Sequence, residues 1–384
     1  MLNFLSIEPD TFGLDISDLS LKFAKLRKRR GALSLVSFGE ALVPSGIIQN
    51  GELRNADALA NIIKEALPKI RGERLRTRYV VASLPEEKSF LQVIQLPKMP
   101  EEQLKSSIRF EAENYIPLPI EDVYIDFHII QPFRNHLDHF DILIAALPKT
   151  VVDPYVESIK KAGLIPLALE IESQAVSRAL VKNEISPFSV LLIDLGATRT
   201  SFIVFSGYSL RFTSSISVSA NDLTGSISKV MNVSIEEAEN LKQKYGLDIS
   251  KKINFRKNLQ GPSFQKEIVE DKALLDVLTP PIIELIKQIK KYIDYYQTHI
   301  GHEHFTDQNS KSIKEILLCG GGANLKGLTD ILSLELQLPV STGNPWVNIL
   351  PQPLKEVPEL PYDKSLSYVT ALGLALRSFR SKND

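Results

Sequence analysis

"FGLDISDLSLKFAKLRK", residues 12–28, and "VLLIDLGATRTSFIVFSG", residues 190–207, follow one plan. Each is an apolar strand that ends in an aspartate, then a short polar turn and a second strand. Asp15 and Asp194 stand two residues before a small residue, Ser17 and Gly196, and hydroxyl-bearing residues follow in both turns. A third strand-like run comes next in each case, "ALSLVSFGEALV" (32–43) and "LRFTSSISV" (210–218). A helix follows each, "NADALANIIKEAL" (55–67) and "SANDLTGSISKVM" (219–231). In the first helix Leu59, Ile62, Ile63 and Leu67 keep the spacing of one helical face. A β-β-β-α unit written twice, about half a chain apart, predicts two pseudo-symmetric lobes, each a mixed sheet covered by helices.

The stretch between the repeats has its own elements. "PEEQLKSSIRFEAEN" (100–114) reads as a helix that stops before "IPLPI". "VYIDFHII" (123–130) and "DILIAALP" (141–148) read as strands, and "TVVDPYVESIKKAG" (150–163) as a helix with Gly163 past its end. These form a compact insert in the first lobe. In the second half, "SIEEAENLKQKYG" (234–246) opens with a capping box, Ser234 with Glu237. "PPIIELIKQIKKYIDYYQTHI" (280–300) carries an apolar stripe of Ile282, Leu285, Ile286, Ile289, Ile293 and Tyr296. The polar stretch at about 247–270 lacks a pattern and is expected to be mobile. "IKEILLCGGG" (313–322) is a strand running into glycines, followed by a helix over "NLKGLTDILSLELQL" (324–338). "DKSLSYVTALGLALRSF" (363–379) is a last helix.

Bulk properties narrow the classes. The 45 basic and 46 acidic residues leave a net charge of −1, so no global field points to nucleic acid or an anionic membrane. A single cysteine, Cys319, forbids an internal disulfide and fits a reducing compartment. The start, "MLNFLSIEPD", lacks the plan of a signal peptide, and no run of about 18 apolar residues suggests a membrane span.

A β-hairpin turn that presents backbone N–H groups makes an anion nest. A glycine there lets a phosphate approach without a Cβ in the way. Ser17, Ser20, Thr198 and Thr200 can add donors, and an aspartate at the strand end can hold a hydrated Mg²⁺. Two such turns would clamp a polyphosphate. Taken singly, each aspartate could equally cap a tight turn. "CGGGANLKGL" (319–328) then supplies bare backbone at a strand-to-helix junction, where N–H groups favour anions or polar ligand edges.

The order "GLDISDLSLK", "LLIDLGATRTSFIVF", "EAENLKQKYG" and "ILLCGGGANLKGL" resembles the actin-like ATPase superfamily. Over essentially the whole chain, and most of all at "SISVSANDLTGSISKVMNVSIEEAENLKQKYG" and "QLPVSTGNPW", it is similar to the type IV pilus assembly PilM family, itself similar to the cell-division protein FtsA. The resemblance implies an α/β actin-like ATPase fold: two lobes around a nucleotide cleft, with an FtsA-like insert in the first. Its implied division is 1–83 and 165–189 for the first lobe core, 84–164 for the insert, 190–230 and 312–362 for the second lobe core, 231–311 for an outer subdomain and 363–384 for a helix returning to lobe one.

The resemblance also assigns residues. Asp15, Ser17 and Lys22 fall on the first phosphate motif, and Asp194, Gly196, Thr198 and Thr200 on the second. Gly320, Gly321, Gly322 and Asn324 fall on the adenosine motif, with Glu239 and Lys242 beside ribose and base. Asp15 and Asp194 would hold Mg through water, with ATP as the nucleotide. Asp194 and Glu170 are the candidate catalytic residues; Glu170 and Glu172 would lie in the first connecting helix, Ala371 and Gly373 in the second. The implied function is a cytoplasmic ATP-binding scaffold with weak or absent hydrolysis. It would be recruited to the inner membrane by the N-terminal peptide of a PilN-like bitopic protein, and would meet other pilus assembly proteins, self-associate and bind no nucleic acid. The partner groove is sought near the insert helix, Glu101 to Tyr115, and the strand Val80 to Leu84.

One departure stands out. The first turn reads "DISDLS", with Ser17 where the family usually has glycine and Asp18 adding a charge that opposes a phosphate. An FtsA-like membrane-bound polymer, a small-molecule kinase, a nucleotide-free scaffold and a type II secretion counterpart stay open at this point. The FtsA reading expects an amphipathic C-terminal helix after a linker, which "RSFRSKND" does not supply. Three smaller features read structurally. "THIGHEH" places His299, His302 and His304 together, more as a polar loop than a metal site; "LRKRRG" (26–31) is a solvated basic hairpin tip; Trp346 packs in a loop.

Overall fold

In the computed structural model, residues 9–29, 32–130, 138–247, 262–299, 312–350 and 358–379 are described. The chain divides into two compact units. One comprises residues 1–187, 203–214 and 344–384, the other 188–202 and 215–343. The segment 203–214, assigned from sequence to the second lobe core, thus clusters with the first unit.

The first unit begins with β1 (Thr11–Ile16), β2 (Ser20–Arg29) and β3 (Ala32–Leu42), a short hairpin of β4 (Ile48–Gln49) and β5 (Glu52–Leu53), α1 (Ala56–Ala66), β6 (Arg71–Gly72) and β7 (Tyr79–Leu84). The insert follows: β8 (Phe90–Pro97), α2 (Glu101–Ala112), β9 (Val123–Ile130) and β10 (His139–Pro148). Next come α3 (Lys149–Lys161), β11 (Ile165–Ile171) and α4 (Glu172–Leu180). The main sheet has the order β11-β7-β1-β2-β3-β6, and the insert sheet β8-β10-β9.

Strand alternation sorts β1. Phe12, Leu14 and Ile16 enter a core with Leu59 and Ile63 of α1 and Tyr155 and Ile159 of α3. Burying Leu59 and Ile63 contributes about 1.5–3 kcal/mol each. The N-cap of α1 is Asn55, whose side chain accepts from Ala58 N–H. Gly13 turns to the other face. A Cβ there would stand 2.3 Å from Ala371 O in α10 (Val369–Leu376), so the helix lies directly on the strand. Gly373 in the same helix meets α4 the same way: its Cβ would be 1.9 Å from Ala175 O. The expected single helix over 363–379 is broken, with α9 (Tyr362–Ser365) and a 3₁₀ turn preceding α10. Trp346 is buried with Phe38, Tyr368 and Leu372, the loop packing expected of it.

The second sheet comprises β12 (Ser186–Leu195), β13 (Thr200–Gly207), β14 (Ser209–Ile216), β15 (Ile313–Cys319) and β16 (Val340–Thr342), in the order β14-β13-β12-β15-β16. This repeats the run β3-β2-β1-β7-β11: three strands consecutive in the chain, then two added in parallel. Its helices are α5 (Ala220–Met231), α6 (Ile235–Tyr245), α7 (Pro262–His299) and α8 (Leu328–Leu336). Ser234 caps α6 by accepting from Glu237 N–H, as its box predicts. Helix α7 begins well before the predicted start. Pro280 and Pro281 lie inside it, leaving the carbonyls of Asp276 and Val277 without helical donors. The apolar stripe still governs, with Ile282, Leu285, Ile289 and Tyr296 buried. Of the polar stretch, 248–261 lies outside the described residues, as do His302, His304, Arg30 and Gly31.

These close approaches predict opposite outcomes for two helical glycines. Gly373→Ala should cost about 1–3 kcal/mol in denaturant unfolding, because the methyl overlaps Ala175 O. Gly225→Ala, with open space around its Cβ position inside α5, should gain about 0.5–1 kcal/mol. Equal effects at the two sites would contradict this packing.

Candidate functional site

In open α/β sheets, ligands gather at the carboxyl ends of the strands. Both aspartates sit there. Asp194 is next to last in β12 and in register with Cys319, the last residue of the parallel strand β15. Asp15 is next to last in β1, beside Ser83 of the parallel β7.

In the first unit, Asp15 is buried and accepts a hydrogen bond from Ser83 Oγ at 3.2 Å. Ser83 Oγ also accepts from Ile16 N–H at 2.8 Å, so one hydroxyl fixes the strand end. Burial pushes the Asp15 carboxyl up, against the Lys22 charge across the hairpin. The "DISDLS" turn closes on itself. Ser17 N–H donates to Ser20 O at 2.9 Å, Ser17 Oγ lies 3.1 Å from Ser20 Oγ, and Lys22 Nζ donates to Ser20 Oγ at 2.7 Å. Ser17 is not among the residues with positive φ, so the turn accepts a side chain where the family has glycine. Asp18 accepts from Asn50 N–H at 3.2 Å and Gly51 N–H at 3.1 Å, in the β4–β5 turn. Its charge is thereby committed to a structural role.

In the second unit, Gly196 N–H donates to Arg199 O at 2.9 Å, closing the other turn. Gly196 O and Ala197 O accept from Ala220 and Asn221 N–H, which ties the turn to the start of α5. Thr200 Oγ1 donates to Val218 O at 2.6 Å. Helix α6 is locked to α5: Lys242 Nζ donates to Ala220 O at 3.1 Å and Thr224 Oγ1 at 2.7 Å and pairs with Glu239 at 2.7 Å. Burial of Glu239 opposes its charge, but donation from Lys242, Thr224 and Gln243 holds its carboxyl below the usual range.

The three glycines have different reasons. Gly320 has φ of 82°, and its Cβ would stand 2.3 Å from Asp194 Oδ1. Gly322 would meet the Leu195 side chain at 2.4 Å. Around Gly321 a Cβ would meet nothing within 4 Å. Two glycines therefore serve a neighbouring strand, and one offers open backbone. They do not sit at an α-helix N-terminus as the sequence suggests. A 3₁₀ turn, Gly321–Asn324, intervenes, and α8 starts at Leu328 behind a left-handed Gly327. Asn324 is exposed on this turn, and Thr198 half-buried in the other. Cys319 is buried and its thiol is pushed well up by burial and by Asp194, so it is inert.

Glu170 is placed differently from the expectation. It is next to last in strand β11, and α4 begins only at Glu172. Arg178 grips it with two bonds, at 2.7 and 2.8 Å, and Arg377 joins its Oε1. Arg178 also donates to Gly373 O at 2.9 Å. Burial opposes the Glu170 charge, and the two guanidinium groups hold its carboxyl below the usual range all the same. Sequence reading missed Ser83, which lies on another strand 68 residues from Asp15, and Arg178, which reaches Glu170 only because α4 folds back on the end of β11.

The first unit also carries a cavity of about 230 Å³ in the insert, lined among others by Phe90, Leu91, Tyr115, Ile116 and Thr213. Phe110, Tyr115 and Leu118 are exposed on the described surface nearby in sequence. Among the described residues there is no group of three or more His, Cys, Asp or Glu suited to a metal, and no helix long and apolar enough to cross a membrane.

Two sheets of one topology, each with an aspartate next to last in its central strand, define an actin-like fold. Its solved relatives include MreB 5 of Spiroplasma citri bound to AMPPNP, with TM-score 0.51, 13% identity and 96% and 95% of the two chains covered. The chain belongs to the PilM family: the family model "Type IV pilus assembly protein PilM" matches residues 13–379. A solved "PilM-PilN type IV pilus biogenesis complex" is similar at TM-score 0.77 and 26% identity, covering 98% of this chain and 100% of that one. Cell division protein FtsA of Streptococcus pneumoniae is 22% identical over 340 residues, 83% of this chain and 72% of that protein. FtsA of Buchnera aphidicola is 27% identical over 195 residues, 50% of this chain and 46% of that relative, so the chain spans about half its length.

The Glu170 arrangement predicts a pH signature. A carboxylate held low in the folded state adds stability above its unfolded pKa and loses it as pH falls through the folded value. Arg178→Met should cost about 3–5 kcal/mol at pH 7, where a buried charge loses its main partner. The loss should shrink toward pH 4, because without Arg178 burial favours the neutral carboxyl of Glu170 in the variant. Chemical denaturation at both pH values reads this; a pH-independent loss would contradict it.

Proposed function

We propose that this protein is an ATP-binding scaffold of a type IV pilus assembly machine, or a related type II secretion machine. It holds the cytoplasmic N-terminal peptide of a PilN-like inner-membrane protein and is thereby recruited to that membrane. The observation that carries this reading is the likeness to the PilM–PilN complex over the full length of both chains.

The residues fit a nucleotide with Mg. Gly321 presents open backbone, Gly320 and Gly322 admit no side chain, and Gly196 closes its turn with Arg199 O 3.1 Å from where a Cβ would stand. Asp15 and Asp194 are the carboxylates for a hydrated Mg²⁺, which supplies charge neutralisation on the phosphates when bound. Lys22 adds a cation at the first turn, with Ser17, Thr198 and Thr200 as hydroxyls. Glu239, Lys242 and Asn324 border the nucleoside side. Asp18, engaged with the β4–β5 turn, is held by backbone donors rather than left to repel a phosphate. Glu170 does not serve as a base for water, because both its oxygens are held by arginines. Of the two candidates Asp194 remains for catalysis, and turnover is weak or absent. The partner peptide enters the insert cavity, where Phe90, Leu91 and Ile116 share the lining with the polar Ser89, Gln92 and Thr213, beside exposed Tyr115 and Phe110. Self-association and contacts with other assembly proteins belong to the same reading; nucleic acid does not.

Two titrations test it. Wild type should bind ATP with Mg, and Asp194→Ala should weaken binding roughly tenfold or more; equal affinities would remove Asp194 from the site. A synthetic peptide copying the cytoplasmic N-terminus of the cognate PilN should bind wild type and lose affinity in Tyr115→Ala. No binding with or without ATP would overturn the function.

A further inference from the structure

The insert cavity has one wall that the insert does not provide. Of its nine lining residues, eight lie between Ser89 and Ile144, and the ninth is Thr213 of β14. Two residues earlier on the same strand, and so on the same face, Arg211 donates to Asp141 Oδ2 at 3.1 Å. It also donates to Ser206 O at 3.3 Å, across its own hairpin. Asp141 lies on β10, the central strand of the insert sheet, opposite Gln95 of β8 and Ile130 of β9. Its other oxygen faces Gln95 Nε2 at 3.5 Å and His139 Nε2 at 3.7 Å. The Arg211 and Asp141 side chains are 12% and 7% exposed, so solvent competes for the pair far less than for a surface ion pair.

The same two strands frame the second aspartate turn. β13 leaves that turn at Thr200, and Thr200 Oγ1 closes it on Val218 O, just beyond β14. One hairpin therefore runs from the nucleotide turn to the cavity wall. It is the residues 203–214 of this hairpin that cluster with the first unit rather than the second.

We propose that the β13–β14 hairpin is the movable wall of the partner cavity, seated on the insert by Arg211 and Asp141, and that it makes peptide affinity depend on nucleotide at the Asp194 turn. This rests on the function proposed above. A ligand shifts a conformational equilibrium only by its differential affinity for the two states. Contacts to the turn select one seat of the hairpin, and Thr213 moves with it. The Arg211–Asp141 pair gives the seat two discrete states, paired and unpaired, and the cavity is complete only in the paired one. Arg211 is a positioning residue: it acts on the peptide through Thr213 and the cavity shape.

Fluorescence anisotropy of the labelled PilN peptide on the full-length protein, with and without ATP and Mg²⁺, tests the proposal. In wild type the nucleotide should change the peptide Kd by about fivefold or more. In Arg211→Ala the two Kd values should converge while the protein still binds ATP with Mg²⁺, its affinity moving by no more than the coupling factor lost. Arg211→Lys should keep most of the difference. The charge swap of Asp141→Arg with Arg211→Asp should recover what either single change loses. Equal nucleotide dependence in wild type and folded Arg211→Ala overturns the proposal, as does a wild-type Kd that ignores nucleotide. A wild type that binds no peptide overturns the function itself, a distinguishable failure. Should Arg211→Ala not fold, Thr213→Trp fills the cavity from this wall. It should weaken the peptide roughly tenfold, and unchanged affinity would overturn the wall assignment.

Discussion

The Asp194 carboxylate occupies the space that the Cβ of Gly320 would need, 2.3 Å away. That one exclusion fixes the rest of the second turn. β15 lies parallel to β12 with Cys319 opposite Asp194, so the chain leaving β15 must pass directly over a charged side chain. It can do so only as bare backbone with positive φ, and Gly322 then packs on Leu195 for the same reason. What is left free after both constraints is Gly321. The first unit repeats the scheme with different atoms: Ser83 takes the place beside Asp15, and its hydroxyl holds both the carboxylate and the next backbone N–H. Both aspartates are thereby packed closely, Asp15 by Ser83 of the neighbouring strand and Asp194 by the backbone at Gly320.

The first unit depends as much on close contact as the second. Gly13 and Gly373 let α10 lie against a strand and a helix at once, and Arg178 then bonds Gly373 O while gripping Glu170. A buried ion group of this kind gives geometry more than net stability, since desolvation offsets much of the attraction. It ties β11, α4 and the end of the chain to one point. A carboxylate that could have been a base is in this way a structural anchor.

Much of this was readable from the residues. The duplicated aspartate hairpins announced two sheets of one topology, and the helix faces at Leu59 and Ile63 and at Ile282 to Tyr296 followed from period alone. The glycine triplet was legible as a place for bare backbone, but not which glycine faced what, because that depends on Asp194 and Leu195 across a parallel strand. The helix start at Pro262 was hidden by Pro280 and Pro281, which read as a boundary by local rules and are tolerated inside a long packed helix. Glu170 looked like part of a connecting helix because nothing in its neighbourhood reveals Arg377, more than two hundred residues away. Asp18 looked like a defect in the first turn until Asn50 and Gly51 were seen to hold it. Long-range pairing of charges is the part of a site that spacing does not encode.

The most direct test of the central claim is amide hydrogen exchange on the full-length protein with and without ATP and Mg²⁺. The account predicts that nucleotide protects three separated segments together: the turn after Asp15, the turn from Asp194 to Thr200, and the backbone at Gly320 to Asn324. Binding of ATP with exchange unchanged at the Asp194 turn and at Gly321 would contradict it.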